Sequence, residues 1–129
     1  MTPSSSYTGG CHCGQVRFEV QIREWKAIDC NCSICRRKGF LHLIIPPSDF
    51  NLLSGADQLT RYQFNTDLAI HLFCQTCGIH AFYHPRSHPN DIDVNLWCLD
   101  AAANSTFVEQ FEIQPFDGQR WEDSIEQLQ

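Results

Sequence analysis

Seven of the eight cysteines in this 129-residue chain fall into three tight clusters: Cys11-His-Cys13, Cys30-Asn-Cys32-Ser-Ile-Cys35 and Cys74-Gln-Thr-Cys77. No other feature limits the fold as strongly. Spacings of C-x-C and C-x2-C bring two thiols to one turn of chain, where a tetrahedral zinc can gather them. A disulfide framework and redox C-x2-C chemistry are the competing readings of an even cysteine count. The opening Met-Thr-Pro-Ser-Ser-Ser has neither the basic nor the apolar stretch of a secretory leader, so a reducing, cytoplasmic setting is expected and disulfides are disfavoured.

Counting ligands sharpens the metal reading. Two cysteine pairs complete one closed four-thiolate site, the pattern of a structural zinc. Cys11/Cys13 and Cys74/Cys77 are each followed by glycine, Gly14 and Gly78. Such matched knuckles, suited to turning amides toward sulfur, argue that these two pairs share an ion. The triplet Cys30, Cys32 and Cys35 then supplies three ligands to a second zinc. Three protein ligands leave a fourth position for water or substrate, the pattern of a catalytic site. A closing residue such as His71 or Cys98 is the alternative. Cys98, in Leu-Trp-Cys-Leu, otherwise reads as a buried free thiol in an apolar strand.

Charge points the same way. The net charge is −6 at pH 7, which disfavours a general nucleic-acid or anionic-membrane binder. Arg36, Arg37 and Lys38 directly follow the triplet and make up a third of the nine basic residues. They are candidate contacts for an anionic thiol, with Arg86 as a further one; a solvated polar turn is the plainer reading. His42, His71 and His80 lie in strand-like segments, where alternation turns about half of the side chains away from any one face.

The rest of the pattern is that of many short strands. Val16, Phe18, Val20 and Ile22 alternate with polar residues, as do Ile92, Val94 and Leu96. Further strands are expected over 40–45, 59–64, 68–73 and 79–83, between turns rich in Pro, Gly, Asn and Asp. Trp121, Ile125 and Leu128 fall at helical spacing and predict a short C-terminal helix. No apolar run approaches the roughly 18 residues of a membrane span. One mainly β domain over 1–129 is expected, with its core at about 9–122.

These motifs together resemble the glutathione-dependent formaldehyde-activating enzyme (GFA) family. The resemblance is carried by Gly10-Cys-His-Cys-Gly-Gln-Val-Arg-Phe18, Cys30-Asn-Cys-Ser-Ile-Cys35 and Phe73-Cys-Gln-Thr-Cys-Gly78. Cys98-Leu-Asp100 and Phe116-Asp-Gly…Trp121-Glu122 are later landmarks. Phe82-Tyr-His-Pro-Arg-Ser87 and Phe64-Asn-Thr66 look closest to the centromere protein V branch, although its long basic extension is absent from this sequence.

The resemblance implies an Mss4-like β-tent of short antiparallel sheets pinned by two zinc ions. It assigns Cys11, Cys13, Cys74 and Cys77 to the structural ion, and Cys30, Cys32 and Cys35 to the catalytic one. It also implies a carbon–sulfur lyase that joins glutathione reversibly to formaldehyde, with a small thiol and a small carbonyl as partners. A zinc-stabilised binding module without turnover is the alternative, but a purely structural tent needs only the four-cysteine ion. The sequence does not speak to the oligomeric state.

Overall fold

The computed structural model describes residues 5–63 and 69–120. Its elements, in chain order, are β1 (Ser5–Gly10), β2 (Arg17–Ile22), β3 (Lys26–Cys30), α1 (Ser33–Lys38), β4 (Leu41–Ile45), β5 (Phe50–Ser54), β6 (Leu59–Tyr62), β7 (Ile70–Cys74), β8 (Phe82–His84), β9 (Ile92–Asn95), α2 (Ser105–Glu109) and β10 (Glu112–Phe116), joined in places by short 3-10 turns. Strands β1, β2 and β5 form a small antiparallel sheet. The others form a seven-stranded sheet in the order β10-β3-β4-β9-β8-β7-β6, in which β10 runs parallel to β3. The architecture is mainly β as the sequence implies, in two sheets, with one parallel pair where antiparallel sheets alone are expected. Among the described residues no helix is long and apolar enough to cross a membrane.

The alternation read in β2 does what it predicts. Phe18, Val20 and Ile22 are buried, as is Val16 just before them. The two sheets meet through three rings: Phe18 and Phe50 stack at 5.4 Å, and Phe82 of the large sheet lies 5.9 and 4.8 Å from them. Arg17 and Asp100, from two distant family landmarks, form a bidentate pair at 3.1 and 2.5 Å.

Direct cross-strand partners share one face of a sheet, so the register sorts the large sheet into two faces. Leu43, Val94 and Phe82 are successive partners on the face toward the small sheet. His42 opposite Asn95, Ile44 opposite Asp93, Asp93 opposite Tyr83, and Tyr83 opposite His71 occupy the other. A half-solvated strand would expose that polar set, yet all four residues of β9 are buried. The reason is that α1 and the segment after β10 lie over this face and enclose a cavity above it.

Local departures from expectation have local causes. Cys98 is not in a strand but in the 3-10 turn Leu96–Cys98. The Asn95 side chain accepts from the Trp97 amide at 3.2 Å, which competes with continuation of the ladder. The strand expected from residue 79 begins at Phe82, because the Ile79 carbonyl is used to close the preceding turn on Cys74 N at 3.1 Å. The helix expected around Trp121, Ile125 and Leu128, and the motif Phe64-Asn-Thr66, lie outside the described residues. Strands β3 and β10 and helix α2 gave no clear periodic signal. They are held by a cluster of Tyr7, Trp25, Phe107 and Phe111, with ring centroids 4.7 to 5.8 Å apart.

Candidate metal centres

The chain brings together two groups of metal-ligating side chains among the described residues. In the first, Cys11 and Cys13 come from the turn after β1, and Cys74 and Cys77 from the end of β7 and the turn beyond it. All four sulfurs lie within 4.8 Å of one another, and the Cys11–Cys13 and Cys13–Cys74 separations are both 3.6 Å. Bonds of about 2.3 Å in a tetrahedron place sulfurs about 3.8 Å apart, so the four thiols are spaced for one ion. The knuckles match in backbone as well. Gly14 and Gly78 both take positive φ, at 84° and 78°, and their amides bond back to the carbonyls of Cys11 and Cys74 at 3.3 and 2.8 Å.

The second group is built from β3, α1 and β4. Cys30 ends β3. Cys32 caps α1, its sulfur accepting from the Cys35 amide at 3.4 Å, and Cys35 is buried within that turn. Hydrogen bonds from the Cys30 and Cys35 thiols hold the Cys32 thiol well below the ordinary thiol range, with the Cys35 and Ile34 amides adding to the effect. Cys30 is pushed up first by its contact with Cys32, against the pull of Cys35, and Cys35 by its contacts with Cys30 and Cys32, with burial adding to both. Three thiols competing for protons in this way form a donor set that a divalent cation would satisfy.

A fourth donor stands beside them that thiol spacing could not show. A ring nitrogen of His42 lies with the Cys30 and Cys35 sulfurs inside one 4.8 Å group, which does not include the Cys32 sulfur expected with them. His42 is buried, and its Nδ1 is 2.6 Å from Asp93 Oδ2. Its Nε2 is buried with no hydrogen-bond partner among the described residues. Gly118 fits the same reading: a Cβ on it would sit 2.5 Å from Cys30 Sγ and 2.8 Å from Cys32 Cβ. The site therefore fits a soft divalent ion such as zinc: thiolates, an unsatisfied imidazole and a close-fitting backbone cover.

The cysteine triplet opens onto a cavity of about 530 Å³. His42, His71, Tyr83 and Asp93 form its floor, and Arg36 and Arg86 line it. The basic run after the triplet is thus divided. Arg36 lines the cavity, while Arg37 is exposed and donates to the Ser33 carbonyl at 2.9 Å. Lys38 turns inward, with Nζ 3.0 Å from His71 Nδ1 and 4.6 and 4.2 Å from the Phe40 and Tyr83 ring centres. Burial pulls Lys38 down to about 8, against the pull of Cys35 and Asp93. His71 drops to about 4, through burial first and the Lys38 charge second. Tyr83 is pushed well up by burial and keeps its proton. Of the three histidines expected in strands, His42 and His71 are in strands and face this cavity, whereas His80 precedes β8. His80 lines a separate groove with Trp97 and Cys98, where the Cys98 thiol donates to the His80 carbonyl at 3.8 Å.

The family model for the glutathione-dependent formaldehyde-activating enzyme matches residues 6–114. The chain belongs to the GFA family. A crystal structure of a Rhodobacter sphaeroides protein is similar to it, with 38% identity and a TM-score of 0.72, covering 84% of this chain and 98% of that one. In this GFA chain the matched region spans both cysteine groups and ends inside β10. The cover residue Gly118 therefore lies just beyond it.

Proposed function

We propose that this GFA protein is a zinc-dependent carbon–sulfur lyase that adds a thiol such as glutathione reversibly to formaldehyde or a similar small carbonyl. The observation that carries the reading is the cavity of about 530 Å³ in which the cysteine triplet meets two arginines. In the reaction an S–C bond forms, the thiol proton ends on the former carbonyl oxygen, and nothing is oxidised. A zinc ion bound by Cys30, Cys32 and Cys35 would supply Lewis acidity toward a carbonyl oxygen and lower the pKa of a bound thiol.

The chain's own groups would do the rest. Arg36 and Arg86 hold carboxylates of the thiol, and the protonated Tyr83 hydroxyl offers a donor in the cavity floor. The basic residues bind without reacting, so they contribute to substrate affinity more than to turnover. The four-cysteine centre, none of whose ligands lines the cavity, serves the fold. Cytoplasmic thiols and small aldehydes are the partners, with neither nucleic acid nor membrane required. Phe82-Tyr-His-Pro-Arg-Ser87 supports placing the chain in the centromere protein V branch of the family.

The test is NMR detection of S-hydroxymethylglutathione exchange by the purified zinc-loaded chain, compared with Cys32→Ser and Arg36→Glu. The reading expects Cys32→Ser to fold, lose one zinc and lose exchange, and Arg36→Glu to raise KM more than it lowers kcat. An active Cys32→Ser chain would remove the triplet from the chemistry.

A further inference from the structure

We propose that His71 is the acid–base residue of the cavity and Lys38 its proton store: the substrate thiol's proton enters at His71 Nε2, is held on Lys38 by way of Nδ1, and returns to the carbonyl oxygen. The inference rests on the lyase reading above and names the groups that move its proton.

The titratable groups of the cavity leave few alternatives. Arg36 and Arg86 do not release protons. Tyr83 is held well above the ordinary tyrosine range by burial, so its hydroxyl offers a hydrogen bond but keeps its proton. His42 engages Asp93 Oδ2 through Nδ1 at 2.6 Å, and its Nε2 is closed off from solvent. His71 remains. It lines the cavity, and its Nδ1 lies 3.0 Å from Lys38 Nζ. Lys38 lines the separate groove that holds Trp97 and Cys98, so the pair crosses the wall between groove and cavity.

The contact itself sets the tautomers. An ammonium has only donors, so with Lys38 charged, Nδ1 accepts and the ring proton sits on Nε2. With Lys38 neutral, Nδ1–H donates to the amine and Nε2 presents its lone pair. A thiol proton taken up by Nε2 therefore drives the Nδ1 proton onto Lys38. As the thiolate sulfur bonds to the carbonyl carbon, the C=O π pair moves to oxygen. That oxygen takes the Nε2 proton, and Lys38 returns its own to Nδ1. One S–H bond has become one O–H bond, and nothing is oxidised. The imidazole stays neutral throughout, in keeping with its fall to about 4 under burial and the Lys38 charge. Burial also lowers Lys38 to about 8, close enough to neutrality for an amine to take up and return a proton in each turnover.

The sheet fixes the pose. His71 pairs with Tyr62 on one side and Tyr83 on the other, and its ring stacks on Tyr83 at 4.7 Å between centres. Helix α1 ends at Lys38, where Gly39 takes φ of 67°. The Nζ then lies 4.2 Å from the Tyr83 ring centre and 4.6 Å from that of Phe40, faces that favour the charged form it must hold. The other titratable groups acting on the pair are Cys32 and Cys35 from α1, His42 from β4, Asp93 from β9 and His80 before β8. Asp93 and the two thiolates support the ammonium against burial.

The test is the S-hydroxymethylglutathione exchange assay on the zinc-loaded full chain, run across pH beside Lys38→Arg and Lys38→Met. Arginine keeps the charge but cannot give up its proton. Both variants are expected to keep the parent's zinc content and a KM within about twofold, and to lose about 100-fold in kcat. The parent's kcat inflection near about 8 should vanish with them. An unchanged kcat in a folded Lys38→Arg chain overturns the relay and leaves the lyase reading standing, while a parent chain without exchange overturns both. A lowered kcat with the inflection retained also overturns the relay, because the titrating group would then lie elsewhere. Should neither variant fold, long-range proton–nitrogen spectra of the parent decide. As Lys38 loses its charge, the His71 ring proton is expected to move from Nε2 to Nδ1, and a ring that keeps one tautomer across that titration overturns the proposal.

Discussion

Gly118→Ala should empty the second centre while leaving the first intact. The new methyl would stand 2.5 Å from Cys30 Sγ, 2.8 Å from Cys32 Cβ and 3.1 Å from Cys32 N. Non-bonded carbon contacts settle near 3.5 Å or more, so the Cys30–Cys32 turn must retreat by about 1 Å. Metal sites tolerate about 0.2 Å in their bonds, roughly a fifth of that displacement. The cover cannot yield instead without cost, because Gln119 is tied to Asn31 by bonds of 3.2 and 3.1 Å, and Asn31 N to the Phe116 carbonyl at 3.2 Å. Overpacking of this kind costs about 1–3 kcal/mol, enough to lower the melting temperature without unfolding the chain. Gly118 is not among the positive-φ glycines, so backbone strain does not confound the result. Metal analysis should find one zinc per chain where two are expected of the parent. Gly39→Ala is the control: it meets nothing within 4 Å but takes φ of 67°, so it should cost stability and keep both ions. Two zincs in Gly118→Ala, with chelator competition unchanged, would refute the packing argument.

Cys74→Ala should be far more damaging, since a structural zinc contributes on the order of 10 kcal/mol of apparent binding energy, about the whole stability of a small domain; a soluble variant with parental melting and full zinc content would count against it. Cys98→Ala should keep both ions and cost about 1 kcal/mol. In the parent, burial holds the Cys98 thiol up at about 12, so iodoacetamide at pH 8 should leave it unmodified in the folded chain and label it after denaturation. His71 and His80 both sit at about 4, through burial and then the Lys38 charge. An unfolded chain takes up protons at these rings near pH 6.5, so their contribution to stability is whole above 6.5 and lost as pH falls toward 4. NMR titration of the ring protons checks this, and midpoints near 6.5 would contradict it.

The fold was legible where one face of a strand is wet or one residue type is decisive. Strand β2 shows its period because Arg17, Glu19 and Gln21 stay partly exposed while their neighbours are buried. The knuckles are legible because few residues other than glycine tolerate φ near 80° immediately after a ligand. Strands β3 and β10 are not, because their pairing is parallel and non-local. Glu112 to Phe116 carry no alternation, being exposed except at Phe116, and are placed by an aromatic cluster assembled from three separate segments.

The candidate site was legible in its sulfurs and hidden in its nitrogen and oxygen. Cysteine at C-x2-C spacing is local information, since the ligands come from one turn. The His42–Asp93 pair is separated by 51 residues and is joined only by the register of β4 on β9. Read alone, Ile92-Asp-Val-Asn is an amphipathic strand with Asp93 toward water. The same alternation, with the outer face roofed by α1 and segment 116–119, turns that polar face into the floor of a cavity. Periodicity reports which residues share a face, but not what covers it. In this chain the cover decides whether a histidine and an aspartate are surface residues or the buried floor of a cavity.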